Sequence, residues 1–272
     1  MGNTFKAGPW LALGFVAVCG VLAWKFYPRA ASGDETPVVA KAPEPIGMPY
    51  EPEVRHPIEN VPVVPETAPA EPLPTLSDSD PVAWAALAGL LDGDDLATWL
   101  VPEYLVQRLV TTIDNLPRRD ITRQVYAARP VAGNFAVSGT DGQSVLDPAN
   151  FTRYDAAVAA FEAVDPARLV SAYVRLYPLF EQAYREVAAP GQTFNDRLVE
   201  VIDHLLAAPD PGAGLAVVPV PGQPRWAFAD PRLEQASIGH KALWRMGPAH
   251  AARVKARLAQ LRGLLAAQAP VR

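Results

Sequence analysis

Ala167-Arg168-Leu169-Val170-Ser171-Ala172-Tyr173-Val174-Arg175-Leu176-Tyr177-Pro178-Leu179-Phe180-Glu181-Gln182-Ala183-Tyr184-Arg185-Glu186-Val187-Ala188 places a large apolar or aromatic side chain at every third or fourth position. Leu169, Tyr173, Leu176, Phe180, Tyr184 and Val187 therefore fall on one stripe of an α-helix, whose period is about 3.6 residues. A helix this long with so wide an aromatic stripe must bury it against other helices, which decides the fold class. Pro178 lies inside the stretch and predicts a kink.

Working outward, Asp165-Pro166 precedes the stretch, and the same pair recurs at Asp80-Pro81, Asp147-Pro148 and Asp230-Pro231. An acidic cap accepts the free amides of a first turn, and proline fills the position that needs no donor. Each pair thus predicts a helix start. Apolar spacing predicts further helices over 82–91, 94–100, 102–114, 148–164, 193–208, 232–246 and 249–267. Residues 129–146 read as a Gly- and Asp-rich loop with a short strand at Phe135-Ala136-Val137, and 215–228 as a hairpin around Pro221-Gly222. The expected architecture is mainly α: a single multi-helix domain over 76–272 with a small β-hairpin.

Two other segments are expected ahead of it. Residues 7–24 form an uncharged apolar run, roughly 27 Å long as a helix and sufficient for a bilayer core. Trp10 and Trp24 bracket it as interfacial anchors, so 1–28 is read as a transmembrane anchor that meets lipid through residues 9–27. A cleaved signal peptide ending near Ala30-Ala31-Ser32 competes with that reading, but Lys25 and two aromatics stand before the site. A lipoprotein anchored through Cys19 would need a small residue where Val18 stands. Lys6 faces Lys25 and Arg29 across the run, so charge hardly orients it; the short leading flank favours a cytoplasmic N-terminus. In a bacterium this puts the remainder in the periplasm, anchored to the inner membrane.

Twelve of the 29 prolines lie between Pro28 and Pro74. Proline removes donors and enforces extended backbone, so 29–75 is expected to be a disordered acidic spacer with a reach of roughly 145 Å. Pro62-Val63-Val64-Pro65 has the form of a docking motif, a form common by chance in such segments.

The formal net charge of −5 gives no basic field for nucleic acid. Cys19 is the single cysteine, which excludes an intrachain disulfide framework or thiolate metal site. Neither a G-x-S-x-G elbow nor a phosphate loop occurs, and no cofactor is implied. Asp196, Glu200 and Asp203 form an acidic stripe opposite the apolar face of their helix, and Asp196 pairs with Thr193 in a capping-box pattern. The stripe reads as a solvated face. Glu200 and His204 are one turn apart, but a zinc site needs three or four ligands, and a salt bridge or rim hydrogen bond is expected of His204. Tyr173, Phe180 and Tyr184 read as core rather than as a ligand groove. Val254, Leu258, Leu261 and Leu265, flanked by Arg253, Lys255, Arg257 and Arg262, are expected to dock into the core rather than on a membrane. Asn115, Arg118, Tyr154, Asp203, His204 and Arg245 are polar residues that become a site only if the fold gathers them in one pocket.

Several strings resemble a known family: Val110-Thr111-Thr112-Ile113-Asp114-Asn115-Leu116-Pro117-Arg118, Phe151-Thr152-Arg153-Tyr154-Asp155, Asp196-Arg197-Leu198, Ile202-Asp203-His204-Leu205-Leu206, Phe228-Ala229-Asp230-Pro231, and Gly239-His240-Lys241 with Arg245-Met246-Gly247-Pro248. Together they resemble the bacterial membrane-anchored family known as domain of unknown function number 3014. The resemblance implies an anchor, a stalk and an envelope domain, and supplies no activity. Two functions are expected to compete: a non-enzymatic module that binds an envelope protein or cell-wall partner, and an envelope hydrolase assembled from the dispersed polar residues.

Overall fold

The computed structural model describes residues 54–65, 71–91, 96–119, 126–140, 143–223 and 225–266. The apolar run with Trp10 and Trp24 lies outside them. Among the described residues no helix is long and apolar enough to cross a membrane.

Nine α-helices are described: α1 (Asp80–Leu91), α2 (Leu96–Trp99), α3 (Leu105–Asn115), α4 (Asp155–Ala163), α5 (Pro166–Arg185), α6 (Phe194–Leu206), α7 (Pro231–Glu234), α8 (Ile238–Arg245) and α9 (Pro248–Leu265). The mainly α reading holds. Helix α9 packs on α4, α5, α6 and α8, while α3 lies against α5 and α6, and α1 packs on both α3 and α5. The final helix docks into the core as expected, with Val254, Leu258, Leu261 and Leu265 buried along it. Phe194, Leu105, Ile202 and Leu258 are among the fully buried side chains where these helices meet.

Helix α5 follows its sequence pattern closely. Asp165 caps it by accepting the Arg168 amide at 2.8 Å, and Pro166 fills the first turn. The helix runs on through the exposed Pro178 to Arg185, and Val187 falls beyond its end, exposed. Glu181, buried on this helix, accepts from the Tyr177 hydroxyl at 2.9 Å and from the Phe194 amide at 2.8 Å, so it caps α6 from outside.

Three expected boundaries are corrected. Residues 148–164 are not one helix: Pro148–Tyr154 winds as a 3-10 helix capped by Asp147 before α4 begins. Residues 232–246 are likewise broken, because Ser237 ends the short α7 segment and caps α8 by accepting the His240 amide at 3.1 Å. Asp80 does not cap its own helix. Its carboxylate accepts the amides of Tyr104 and Leu105, 24 and 25 residues further along the chain, each at 2.7 Å, at the start of α3. Tyr104 there has φ 54, a left-handed conformation that turns two adjacent donors toward one carboxylate.

Two hairpins are present where one was expected. Strand β1 (Val137–Ser138) pairs with β2 (Val145–Leu146), and β3 (Val217–Pro219) with β4 (Trp226–Phe228), both antiparallel. The Leu146 amide donates to Leu215 and the Val217 amide to Ser144, each at 2.8 Å, so the hairpins lie side by side. Their inner face and Trp244 of α8 form a second small core of Leu146, Val217, Phe228 and Trp244.

The spacer also ends earlier than expected. Residues 54–65, read from sequence as disordered linker, lie as a strap on the helical domain. Val61 is buried in the main core, and Ile58 and Leu73 pack against it. Asp196 accepts the amides of Arg55 at 3.1 Å and His56 at 2.7 Å, Asn195 donates to the His56 carbonyl at 2.8 Å, and the Val64 amide donates to Ser171 at 2.7 Å. Proline spacing leaves room for one 3-10 turn, Ile58–Asn60, and the extended residues on either side keep amides that side chains can grip.

Candidate functional site

A polar cluster lies where the C-terminal end of α3 meets α6 and the N-terminus of α8. The Leu116 and Arg118 carbonyls accept the amides of Gly239 at 2.9 Å and Ile238 at 2.8 Å, which seats α8 on the end of α3. Gly239 suits that approach: a Cβ there would collide with Leu205 Cδ2 and lie 3.2 Å from the Leu116 carbonyl oxygen. Beside this seam Asp114 accepts from Arg197 Nε at 2.8 Å and from Arg118 Nη2 at 3.0 Å, and Arg197 Nη2 also donates to the Asp114 carbonyl at 2.7 Å. Arg197 Nη1 lies 3.2 Å from Glu200.

His204 and His240 stack face to face on this seam, centroids 4.1 Å apart and planes 6° from parallel. His204 Nε2 shares a hydrogen bond with Ser237 Oγ at 2.8 Å, and His240 Nε2 donates to the His204 carbonyl at 2.8 Å. Burial holds the His204 imidazole below its ordinary pKa, and the neighbouring His240 and Arg197 push the same way against Glu200. Burial likewise lowers His240, with Lys255 adding to it and the bond to the His204 carbonyl opposing. His204 makes the hydrogen bond expected of it, and its histidine neighbour comes from the fold, which brings together residues 36 positions apart.

A neutral imidazole 2.8 Å from a serine hydroxyl is the arrangement of a nucleophile and its base. Acyl transfer also needs free amide donors for the developing oxyanion. Here the Ile238 and Gly239 amides are taken by α3, and the His240 amide by Ser237 itself. The cluster is built as a helix cap and seam.

The sequence candidates are divided among separate places. Asn115 donates back to the Thr111 carbonyl at 2.7 Å, and Arg118 pairs with Asp114. Asp203 pairs with Arg262 on α9 and Glu200 with Arg197 while both stay exposed, so this part of the acidic stripe is the solvated face expected; Asp196, half-buried, instead holds the strap. Tyr154 and Arg245 do come together, away from the histidine pair. Burial pushes the Tyr154 hydroxyl up to about 12 against the charges of Arg153 and Arg245. Arg245 is buried, lies 4.6 Å above the Phe228 ring and reaches Glu234 at 3.9 Å. Tyr173, Phe180 and Tyr184 cluster around Phe194 at centroid distances of 6.3, 5.6 and 5.5 Å. Among the described residues, no group of three or more His, Cys, Asp or Glu side chains is placed to hold a metal ion.

Residues 105–262 match the family described as protein of unknown function (DUF3014). The chain belongs to that family. The DUF3014 stretch opens at the first residue of α3 and closes within α9, so it contains the histidine pair, Ser237 and the Asp114–Arg197 contact. The strap and α1 lie outside it. No curated protein and no solved structure matches the chain.

Proposed function

We propose that this DUF3014 chain is a membrane-tethered module of the bacterial cell envelope, anchored once in the inner membrane with its N-terminus in the cytoplasm. Its helical domain stands in the periplasm and binds an envelope protein or cell-wall partner without catalysing a reaction. The reading rests most on the docked strap. Asp196, Asn195, Ser171 and the pocket of Val61 fix the place where the linker leaves the domain. A spacer that merely kept two parts connected would need no such grip, whereas a module presenting one face at a set distance gains orientation from it. Crosslinking in intact cells, followed by purification of the full chain, is expected to recover a reproducible envelope partner. Recovery of the monomer alone counts against the reading. A reporter fused to the C-terminus tests the topology: alkaline phosphatase activity is expected, and cytoplasmic fluorescence of a green protein fusion contradicts it.

An envelope enzyme is the second reading, favoured by the His204–Ser237 contact. Loss of an envelope hydrolase activity in Ser237→Ala, with an unchanged fold, would establish it.

A further inference from the structure

The helices leave a cavity of about 150 Å³ between them, walled by α1, α3, α5, α6, α9 and the end of α4. The walls are hydrocarbon and aromatic ring throughout, and the one hydroxyl among them, on Tyr173, is directed to Asn195 Oδ1 at 3.3 Å. Packed interiors seldom keep a void of this size. Water gains little in a space without polar partners, and cavities of about this volume lined by Leu, Ile and Phe take up small apolar ligands.

The burial pattern locates the opening. Ala86, Leu87 and Leu90 on α1 and Leu169, Ala172 and Tyr173 on α5 are half-buried, whereas the other lining residues are buried. The cavity therefore reaches solvent along the seam between α1 and α5. Helix α1 is a shallow cover: it is apolar around its circumference from Val82 to Leu90, and Ala83 is the one of its described side chains that is buried. It is pinned at its ends, by Asp80 to the start of α3 and by Arg168 Nη2, which donates to the Gly89 carbonyl at 3.0 Å. Arg168 is exposed and lies one turn before Ala172, which puts its basic head on the open side of α5 beside the Gly89 carbonyl.

These features constrain the occupant. A peptide would carry amides into walls that offer no hydrogen bond, at a cost of roughly 1–3 kcal/mol for each unpaired group. A hydrocarbon chain incurs no such penalty, and a basic rim beside an apolar slot suits an anionic head on that chain. The geometry points to a binding site for a medium-chain carboxylate, the far end of its alkyl chain in the cavity between α1 and α5 and its head group at Arg168. The site stands on the cavity and is independent of the proposed membrane tether.

Photolabelling tests it. The full chain in lipid nanodiscs is irradiated with an octanoate carrying a diazirine near the far end of its alkyl chain, and labelled peptides are mapped by mass spectrometry. Label is expected in 80–91 and 166–185. Ala86→Phe, which fills the cavity from its half-buried wall, is expected to lower that label about tenfold, corresponding to about 1.4 kcal/mol. Arg168→Glu, on the exposed rim, is expected to lower it several-fold without touching the core. Label over 7–24 reports bilayer contact and should be the same in all three proteins. Absence of label from 80–91 and 166–185, or its persistence in both variants, overturns the site. Loss of the 7–24 label with the cavity label intact overturns the tether and leaves the site standing.

Discussion

Asn195 Nδ2 donates to the carbonyl of His56 at 2.8 Å, joining the N-terminus of α6 to a strap 139 residues earlier in the chain. The same amide group lies 3.3 Å from the Leu265 carbonyl at the end of α9, and Asn195 Oδ1 accepts from Tyr173. One fully buried side chain thus ties the strap, the last helix and the cavity wall together. Asn195→Ala leaves these partners unpaired and is expected to destabilise the fold by about 1–3 kcal/mol. Chemical denaturation of the full chain measures it, and amide exchange at 56–61 should rise beyond the global change.

Asp196→Asn removes the charged acceptor of the Arg55 and His56 amides but leaves the core intact. The strap is expected to loosen while overall stability falls by only about 1 kcal/mol. Limited trypsin digestion checks this, because cleavage after Arg55 should accelerate several-fold, and an unchanged rate would mean that Val61 alone holds the strap.

Gly247 has φ +87 and caps α9, and a Cβ there would lie 2.6 Å from the Phe151 ring. Gly247→Ala combines a left-handed backbone with a collision against the 3-10 segment and is expected to cost about 2–4 kcal/mol. Thermal unfolding is the measurement. Gly89→Ala has open space and helical geometry, and should be neutral or slightly stabilising.

The stacked histidines predict an acid limb of stability. Both folded-state values are lowered, so the native protein binds fewer protons than the unfolded chain as pH falls below the unfolded value of about 6.5. Their contribution is fully present above that pH and is lost as pH falls through the folded values. Unfolding free energy measured from pH 8 to 5 is expected to decline below about 6.5, and His240→Gln should flatten the decline. A profile unaltered by that substitution would assign the acid sensitivity to the carboxylates instead.

Much of the helical layout was legible because its signals are local. The 3.6-residue stripe of α5 and the Asp165-Pro166 cap act within a turn or two, so the helix starts where the sequence pattern places it, although it ends at Arg185, before Val187. Shorter signals misled where a neighbour could compete. Ser237-Ile238-Gly239-His240 is a cap in the middle of an apparently continuous apolar pattern, and the split at 235–237 follows from it. The second hairpin was missed because β1 and β2 have two residues each, too few for an alternating pattern to register.

Sequence by itself determined that the chain is mainly helical, that it matches DUF3014 strings, and that its front third is apolar and then Pro-rich. Those properties are carried by composition and by spacing along one helix or one extended segment. Tertiary structure alone decided that His204 stacks on His240, that Asp80 caps α3, and that Asp196 grips residues 55 and 56. Each joins groups 24 to 141 residues apart. A carboxylate or imidazole reads the same in the sequence whether it faces water or a distant amide, and only the packing of α3, α6 and α8 selects between them.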